Sequence, residues 1–430
     1  MVHGDPCQTV FAVGIRRAAR LGGREASTLS HGPSNMNLSG TPGTGIREQS
    51  GTIAFIFGIF FINMLSRLGL APLLPVLQTE LALSHAEAGS VFLFISLGYG
   101  TGLFASTFTS ARICHHQQIV VSSLAVGAAM MGLSRCETLW SLRLSLVALG
   151  IAGGLYLPSG VATLTGIVRR SDWGKVLAIH QLAPNLAYIC SPLLAEVLMR
   201  WFSWQTVVFV YGLFSLSMGM ALWMKGTHDR SCGDAPNLSS VGRLLRLPDL
   251  WILILLFSLA IGVNQGIFSM LPLYLTAERG MEAGTANRLL SISRLIAFGA
   301  PLAAGWFSDR LGLKKVLFAT IVSSSLATYC IALVPGEWVG AGLAVQAVTS
   351  VCFFPLGFAA LSSITSPGNR NLAVAFTVPF AHLFGAGMFP TLIGFAGDVG
   401  NFSLGLCILG TLTLAGAFLL RCISLNGGDG

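Results

Sequence analysis

A chain of 430 residues that is 53% hydrophobic and only 10% charged, with a mean hydropathy of +0.74, lies outside the range of soluble globular proteins, which carry about 25% charge. The composition is that of a polytopic membrane protein. The formal charge of +8 does not make it a nucleic-acid binder, because the basic residues fall in short turns between apolar runs rather than along one solvated face.

Residues 1–50 are rich in Gly, Ser, Thr and Arg and show no sustained apolar period, so they are expected to form a disordered cytoplasmic tail. Arg16, Arg17, Arg20 and Arg24 fit a transit peptide, a basic tail, or upstream sequence ahead of a start at Met36, and these alternatives stay open. From Thr52 onward twelve apolar segments reach membrane-spanning length: 52–79, 86–110, 116–135, 138–167, 174–201, 203–225, 250–277, 284–308, 313–334, 337–365, 371–398 and 401–424. Only Gly226–Asp249 is long and polar enough for an interior linker. It divides the chain into two six-helix bundles, 51–225 and 250–425.

The short loops set the orientation. Arg112, then Arg169, Arg170 and Lys175, then the linker, then Arg310, Lys314 and Lys315, then Arg370 all share one side with both termini, and that side is expected to be cytoplasmic. The opposite turns carry Glu80, Glu87, Glu137, Glu278, Glu282 and Glu337. A multi-pass protein of the cell membrane, the inner membrane if bacterial, is the expected location. The halves also repeat: Pro75/Pro272, Pro158/Pro355 and Asn185/His382 are each 197 residues apart, and Pro192/Pro390 are 198 apart. The spacings Gly98-x-x-x-Gly102 and Gly150-x-x-x-Gly154 predict close packing of the second and fourth segments. Pro72, Pro75, Pro158, Pro184, Pro192, Pro379 and Pro390 each remove a backbone hydrogen bond and predict kinks.

Between the eighth and ninth segments stands Gly305-Trp-Phe-Ser-Asp309-Arg310-Leu-Gly312-Leu-Lys314-Lys315. Gly305 is expected to let two helices approach, Asp309 to accept hydrogen bonds from a neighbouring helix N-terminus, and the three basic residues to hold the turn in the cytoplasm. These residues resemble the Gly-x-x-x-Asp-Arg-x-Gly-x-Lys-Lys loop signature of major facilitator superfamily transporters. The resemblance implies an all-α membrane fold of twelve helices in two pseudo-symmetric bundles, and transport by alternating access; it carries no information on cargo. Placing Gly102 on Gly305 puts Ser106 on Asp309, so the first-half loop lacks the acid.

Arg67 and Arg294 sit inside apolar runs, roughly 22 Å from the cytoplasmic boundary at 1.5 Å per residue. An arginine at mid-membrane costs about 2.5–3.5 kcal/mol on insertion scales, so both are candidates to face a cavity and bind an anion. No acid lies at matching depth in the first or seventh segment, and Glu196 is expected to pair with Arg200 one turn on. Arg67 precedes Pro75 by eight residues, a pattern similar to the organophosphate and organic-anion branches of the superfamily; the resemblance implies that this arginine contacts a phosphate or carboxylate. The corresponding second-half position is Asn264, so a paired-arginine clamp is not reproduced and "anion" is the firmer reading. Asn264, Gln265, Asn185, Tyr188 and His382 complete the candidate substrate site, with His382 also a candidate for proton coupling. Each alone reads equally well as an interhelical hydrogen bond, typically about 0.6 kcal/mol. His180 lies nearer the cytoplasmic end and ranks lower.

The nine cysteines form no Cys-x-x-Cys and have no His at ligand spacing, so no metal, cofactor or disulfide framework is expected. The leading reading is a monomeric secondary transporter of a small organic anion, coupled to protons, sodium or a counter-anion. A drug efflux antiporter is disfavoured by Ser191-Pro192-Leu193-Leu194-Ala195-Glu196, which lacks the glycines of that branch. A non-transporting sensor or scaffold is a further class. An enzyme is not expected, since no catalytic cluster or nucleotide loop is present.

Overall fold

The chain folds as a succession of long helices whose interruptions are placed by proline. The computed structural model describes residues 45–423 apart from 111, 226–241, 243 and 366–369; most of the expected tail and most of the expected linker lie outside the described residues. The helices are α1 (Ser50–Glu80), α2 (His85–Thr109), α3 (His115–Leu133), α4 (Leu139–Ile167), α5 (Arg170–Met199) and α6 (Trp204–Met224). The second set is α7 (Pro248–Ala277), α8 (Ala283–Leu311), α9 (Leu313–Leu333), α10 (Gly336–Ser363), α11 (Leu372–Asp398) and α12 (Phe402–Cys422). Eleven of them are long and apolar enough to cross a membrane; α3 falls short in apolar character because its first turn is His115-His116-Gln117-Gln118.

Proline removes the amide that would bond four residues back, and its ring presses on that carbonyl. Regular helix accordingly ends at Leu68, Gly154, Ala297 and Val351, each four residues before Pro72, Pro158, Pro301 and Pro355. Wide π turns at Gly262–Gly266 in α7 and Leu383–Met388 in α11 precede Pro272 and Pro390. The expected kinks at Pro75, Pro184, Pro192 and Pro379 are not matched by interruptions: these prolines sit inside continuous helix. The breaks at Leu155 and Cys352 stand 197 residues apart, the offset of the proline pairs, so the two halves repeat in structure as in sequence.

Two kinds of core hold the helices together. In α2 and α4, a Cβ at Gly102 would lie 3.0 Å from Ile151 Cα, and one at Gly150 would lie 2.9 Å from Gly98 Cα, so the expected glycine contact is present and leaves no room for a side chain. Toward the face that carries the Asp309 turn, each bundle has its own cluster: Ile53, Ile56, Ile119, Tyr156 and Val176 in one, Leu250, Leu253, Leu317, Phe353 and Leu356 in the other. Toward the opposite face a single cluster runs through both bundles, joining Leu73, Leu74 and Leu77 of α1 to Phe268, Leu271 and Leu275 of α7. Exposed tryptophans mark both ends of the helices, Trp140, Trp201 and Trp338 on the latter face and Trp223, Trp251 and Trp306 on the former, as the aromatic belts of a bilayer protein do.

Polar contacts close the second face. Asp398 at the end of α11 accepts from the His85 and Ala86 amides at the start of α2, at 2.6 and 3.0 Å. Glu196 of α5 pairs with Arg200, as expected, and also with Arg288 of α8, both at 3.0 Å. The Asp398 contacts and the Glu196–Arg288 pair cross between bundles. Glu80 and Glu278 act inside theirs: Glu80 accepts from Trp204 Nε1 at 2.7 Å, and Glu278 accepts from the Phe402 and Ser403 amides that open α12.

Candidate functional site

Arg67 and Arg294 are 4% and 5% exposed, and neither forms an ion pair among the described residues. Arg67 lies near the Gly69 interruption of α1. Its Nε donates to Asn63 O at 3.4 Å and its Nη2 to Asn63 Oδ1 at 3.2 Å, with Met64 Sδ at 3.1 Å. Asn63 is itself anchored to the neighbouring helix, its Nδ2 donating to Gly153 O at 3.3 Å. The guanidinium lies 4.2 Å from the centroid of the Tyr99 ring on α2, and Tyr99 in turn packs against His382 of α11 at 5.1 Å. His382 Nδ1 bonds the Val378 carbonyl at 3.1 Å. A carbonyl only accepts, so the neutral ring carries its proton on Nδ1 and keeps an acceptor lone pair at Nε2.

Arg294 forms a second cluster. Its Nη1 donates to Asn264 Oδ1 in a short contact and its Nη2 to Asn264 O at 2.7 Å. Its charge lies 4.6 Å from the Tyr188 ring centroid and 4.8 Å from that of Phe268, two rings that meet edge to face. Tyr188 of α5 meets Phe268 of α7 at Arg294, and Tyr99 of α2 meets His382 of α11 beside Arg67, so both clusters lie at the join of the bundles. A crevice of about 20 Å³ opens there between Asn185, Tyr188, Arg294, Phe298 and Pro301, room for a water molecule.

The structure thus gathers Arg67, Tyr188, Asn264, Arg294 and His382. Asn185 lines the crevice, its amide turned to the Gln181 carbonyl at 3.2 Å. Gln265 is half-buried beside Asn264. His180 belongs elsewhere, stacked on Phe60 and bonded to the Tyr156 hydroxyl at 3.0 Å. Sequence reasoning missed Asn63, Tyr99 and Phe268. Asn63 is four residues before Arg67, a spacing that brings helical side chains together; the rings approach from helices distant in sequence and carry no such signal.

The Asp309 turn departs from expectation at two residues. A Cβ at Gly305 would meet nothing within 4 Å, so Gly305 is not a point of helix approach in this arrangement. Asp309 is exposed and accepts no hydrogen bond among the described residues, because the stretch Ala300–Leu311 of α8 buries only Ala304. Gly312 takes φ 89°, the left-handed conformation that lets α8 turn into α9 in one residue. Arg310 stacks on Trp306 at 3.7 Å, and Lys314 Nζ donates to Ile423 O at 3.0 Å; Lys315 is exposed. The equivalent Ser106 is fully buried, its hydroxyl bonded to Gln118 Nε2 at 2.6 Å.

Comparison with known proteins agrees with this architecture. The chain is 24% identical over 335 residues to the "Membrane sensor protein UhpC" of Salmonella typhimurium, covering 71% of this chain and 73% of that one. It is 24% identical over 420 residues to the "Hexuronate transporter" of Bacillus subtilis, covering 87% and 91%. The fold matches the solved structure of a bacterial homologue of the human lysosomal transporter Spinster in an inward-facing, occupied conformation, with a TM-score of 0.72 at 15% identity over 88% of this chain and 96% of that one. Residues 56–303 match the family model of the Major Facilitator Superfamily, more than half of the sequence, and the chain belongs to that family.

Proposed function

We propose that this multi-pass membrane protein is a secondary transporter that moves a small organic anion by alternating access of its two six-helix bundles, with Arg67 as the main anion contact. Family membership and fold support the transporter. The observation that carries the anion is the pair of buried guanidinium groups, one in each bundle, that meet only neutral acceptors among the described residues. A buried charge without a counter-charge is costly, and a carboxylate or phosphate arriving between the bundles supplies one. Arg67 is the more available: its acceptors lie at 3.1–3.4 Å, and its Nη1 has no partner among the described residues. The curated relative named for hexuronate, a carboxylate, agrees with this class.

On the positive-inside reading the Asp309 face is cytoplasmic, which makes this arrangement closed toward the outside and loosened toward the cytoplasm. His382 Nε2, beside Tyr99 and Arg67, is the candidate for proton coupling. A non-transporting sensor is the second reading, favoured by the relatives named membrane sensor proteins.

The test is binding and counterflow of labelled sugar acids and organic phosphates with the full chain in proteoliposomes. Arg67→Ala is expected to abolish binding and Arg67→Lys to weaken it about tenfold or more, since an ammonium cannot copy the two-pronged grip. Normal binding and transport by Arg67→Ala would make Arg67 a packing residue and remove the main support for an anion. Binding without counterflow would favour the sensor.

A further inference from the structure

The two arginines are not equally available, and the reason lies in one residue of α7. The π turn Gly262–Gly266 widens the helix, and the amide of Ile267 reaches back to Gly262 O rather than to the carbonyl one position on. Two successive carbonyls of this turn take side-chain donors from other helices: Val263 O accepts from Gln346 Nε2 at 2.6 Å and Asn264 O from Arg294 Nη2 at 2.7 Å. The Asn264 side chain completes the pattern. Its Oδ1 accepts from Arg294 Nη1 and from Ser350 Oγ, the latter at 3.3 Å. Two oxygens of one residue therefore face two nitrogens of one guanidinium, the arrangement in which a carboxylate binds arginine, but without the negative charge.

We propose that the Asn264 side chain is a placeholder on Arg294: its Oδ1 stands where an oxygen of an anionic group would bind, and an anion held first at Arg67 engages Arg294 Nη1 by displacing that side-chain amide, while the Asn264 backbone carbonyl stays on Nη2. This rests on the anion-transporter reading above. An ionised oxygen makes a stronger hydrogen bond to a guanidinium than a neutral amide oxygen does, so the exchange runs toward the anion once one is delivered between the bundles. Displacement also releases Ser350 Oγ from Asn264 Oδ1, so that occupancy of Arg294 is felt in α7 and α10. Asn264 is thus a specificity-determining residue: it makes the second arginine answer to anionic cargo and not to neutral solutes, which cannot outcompete it.

The experiment is titration of the full-length protein in detergent with glucuronate and with inorganic phosphate, read as ligand-dependent thermal shift and as Kd. Asn264→Ala is expected to tighten anion binding about tenfold, because Arg294 Nη1 loses its resident acceptor. Asn264→Asp supplies a permanent carboxylate of the same shape and is expected to weaken anion binding about tenfold while the melting temperature without ligand holds or rises. The aspartate variant keeps the test decisive if the alanine variant folds poorly. Wild-type affinity in Asn264→Asp, or binding no tighter than wild type in a folded Asn264→Ala, would overturn the placeholder. If Arg67→Ala abolishes binding in the same assay while Asn264→Asp leaves it unchanged, the placeholder alone fails; if neither probe binds the wild type, the anion reading falls and takes the placeholder with it.

Discussion

Asp398 and Asp309 stand near the ends of α11 and α8 on opposite faces of the molecule, and they meet opposite conditions. Asp398 holds the first two amides of α2, a helix from the other bundle, while Asp309 is exposed and holds nothing among the described residues. The glycines beside them differ in the same sense. A Cβ at Gly394 would collide with the His85 carbonyl and lie 3.0 Å from Ala86 Cα, whereas one at Gly305 would meet nothing within 4 Å. Among the described residues the buried cluster that runs through both bundles lies on the Asp398 side, while toward the Asp309 face the bundles touch where Phe104 of α2 meets Phe376 and Phe380 of α11. Similar residue types therefore link the bundles on one face and stand without a partner, among the described residues, on the other. Glu80 and Glu278 give the control: they bind helix starts inside their own bundles.

The most damaging change to this asymmetry is Gly394→Leu. The collision is with backbone of α2, which cannot swing aside as a side chain does, so the α2–α11 contact must open. Loss of transport is expected, together with a marked rise in thiol labelling at single cysteines placed on the α1–α2 and α11–α12 turns. Unchanged labelling would mean that the two helices give way without the bundles separating.

Asp398→Asn should act in the same direction and more gently. The shape is kept, but the carboxylate at the helix N-terminus loses its charge, worth about 1 kcal/mol and hence roughly a fivefold shift between arrangements. Spin-label distances across the α1–α2 and α11–α12 turns measure it, with a longer-distance population growing in the variant. Glu278→Gln serves as the comparison, since its contact lies within one bundle and should leave those distances alone. An equal response from both variants would erase the distinction between links within and across bundles.

How much of this was legible in the chain depends on which side of each contact the residue occupies. The helices were: a bilayer demands runs of fixed length with every backbone group satisfied, and the expected tenth segment, 337–365, is found as Gly336–Ser363. Four of the interruptions stand four positions upstream of a proline, where the carbonyl loses its partner, but Pro75, Pro184, Pro192 and Pro379 leave their helices continuous, so the proline marks a candidate break and the packing decides it. Arg67 and Arg294 were legible because a buried guanidinium is expensive wherever it points. Their surroundings were not, since Tyr99 and Phe268 are indistinguishable in sequence from the aromatics that pack or face lipid elsewhere. Gly305 was misjudged for the same reason: a small residue permits a close approach, but only the opposing helix decides whether one occurs in a given arrangement.

Asp309→Asn carries the smallest expected effect on this arrangement and tests the other half of the comparison. An exposed carboxylate with no partner among the described residues contributes nothing specific here, so melting temperature and the far-face distances should match the wild type. On the proposed alternating access its contribution belongs to the opposite arrangement, in which closing the Asp309 face would bring it to a helix N-terminus, as Asp398 here meets His85 and Ala86. Removing the charge should therefore slow exchange between arrangements: counterflow falls steeply while anion affinity in detergent stays near the wild-type value. Equal losses of counterflow and of affinity would make Asp309 a structural residue of the turn, and the pairing of the two aspartates as engaged and released forms of one device would not stand.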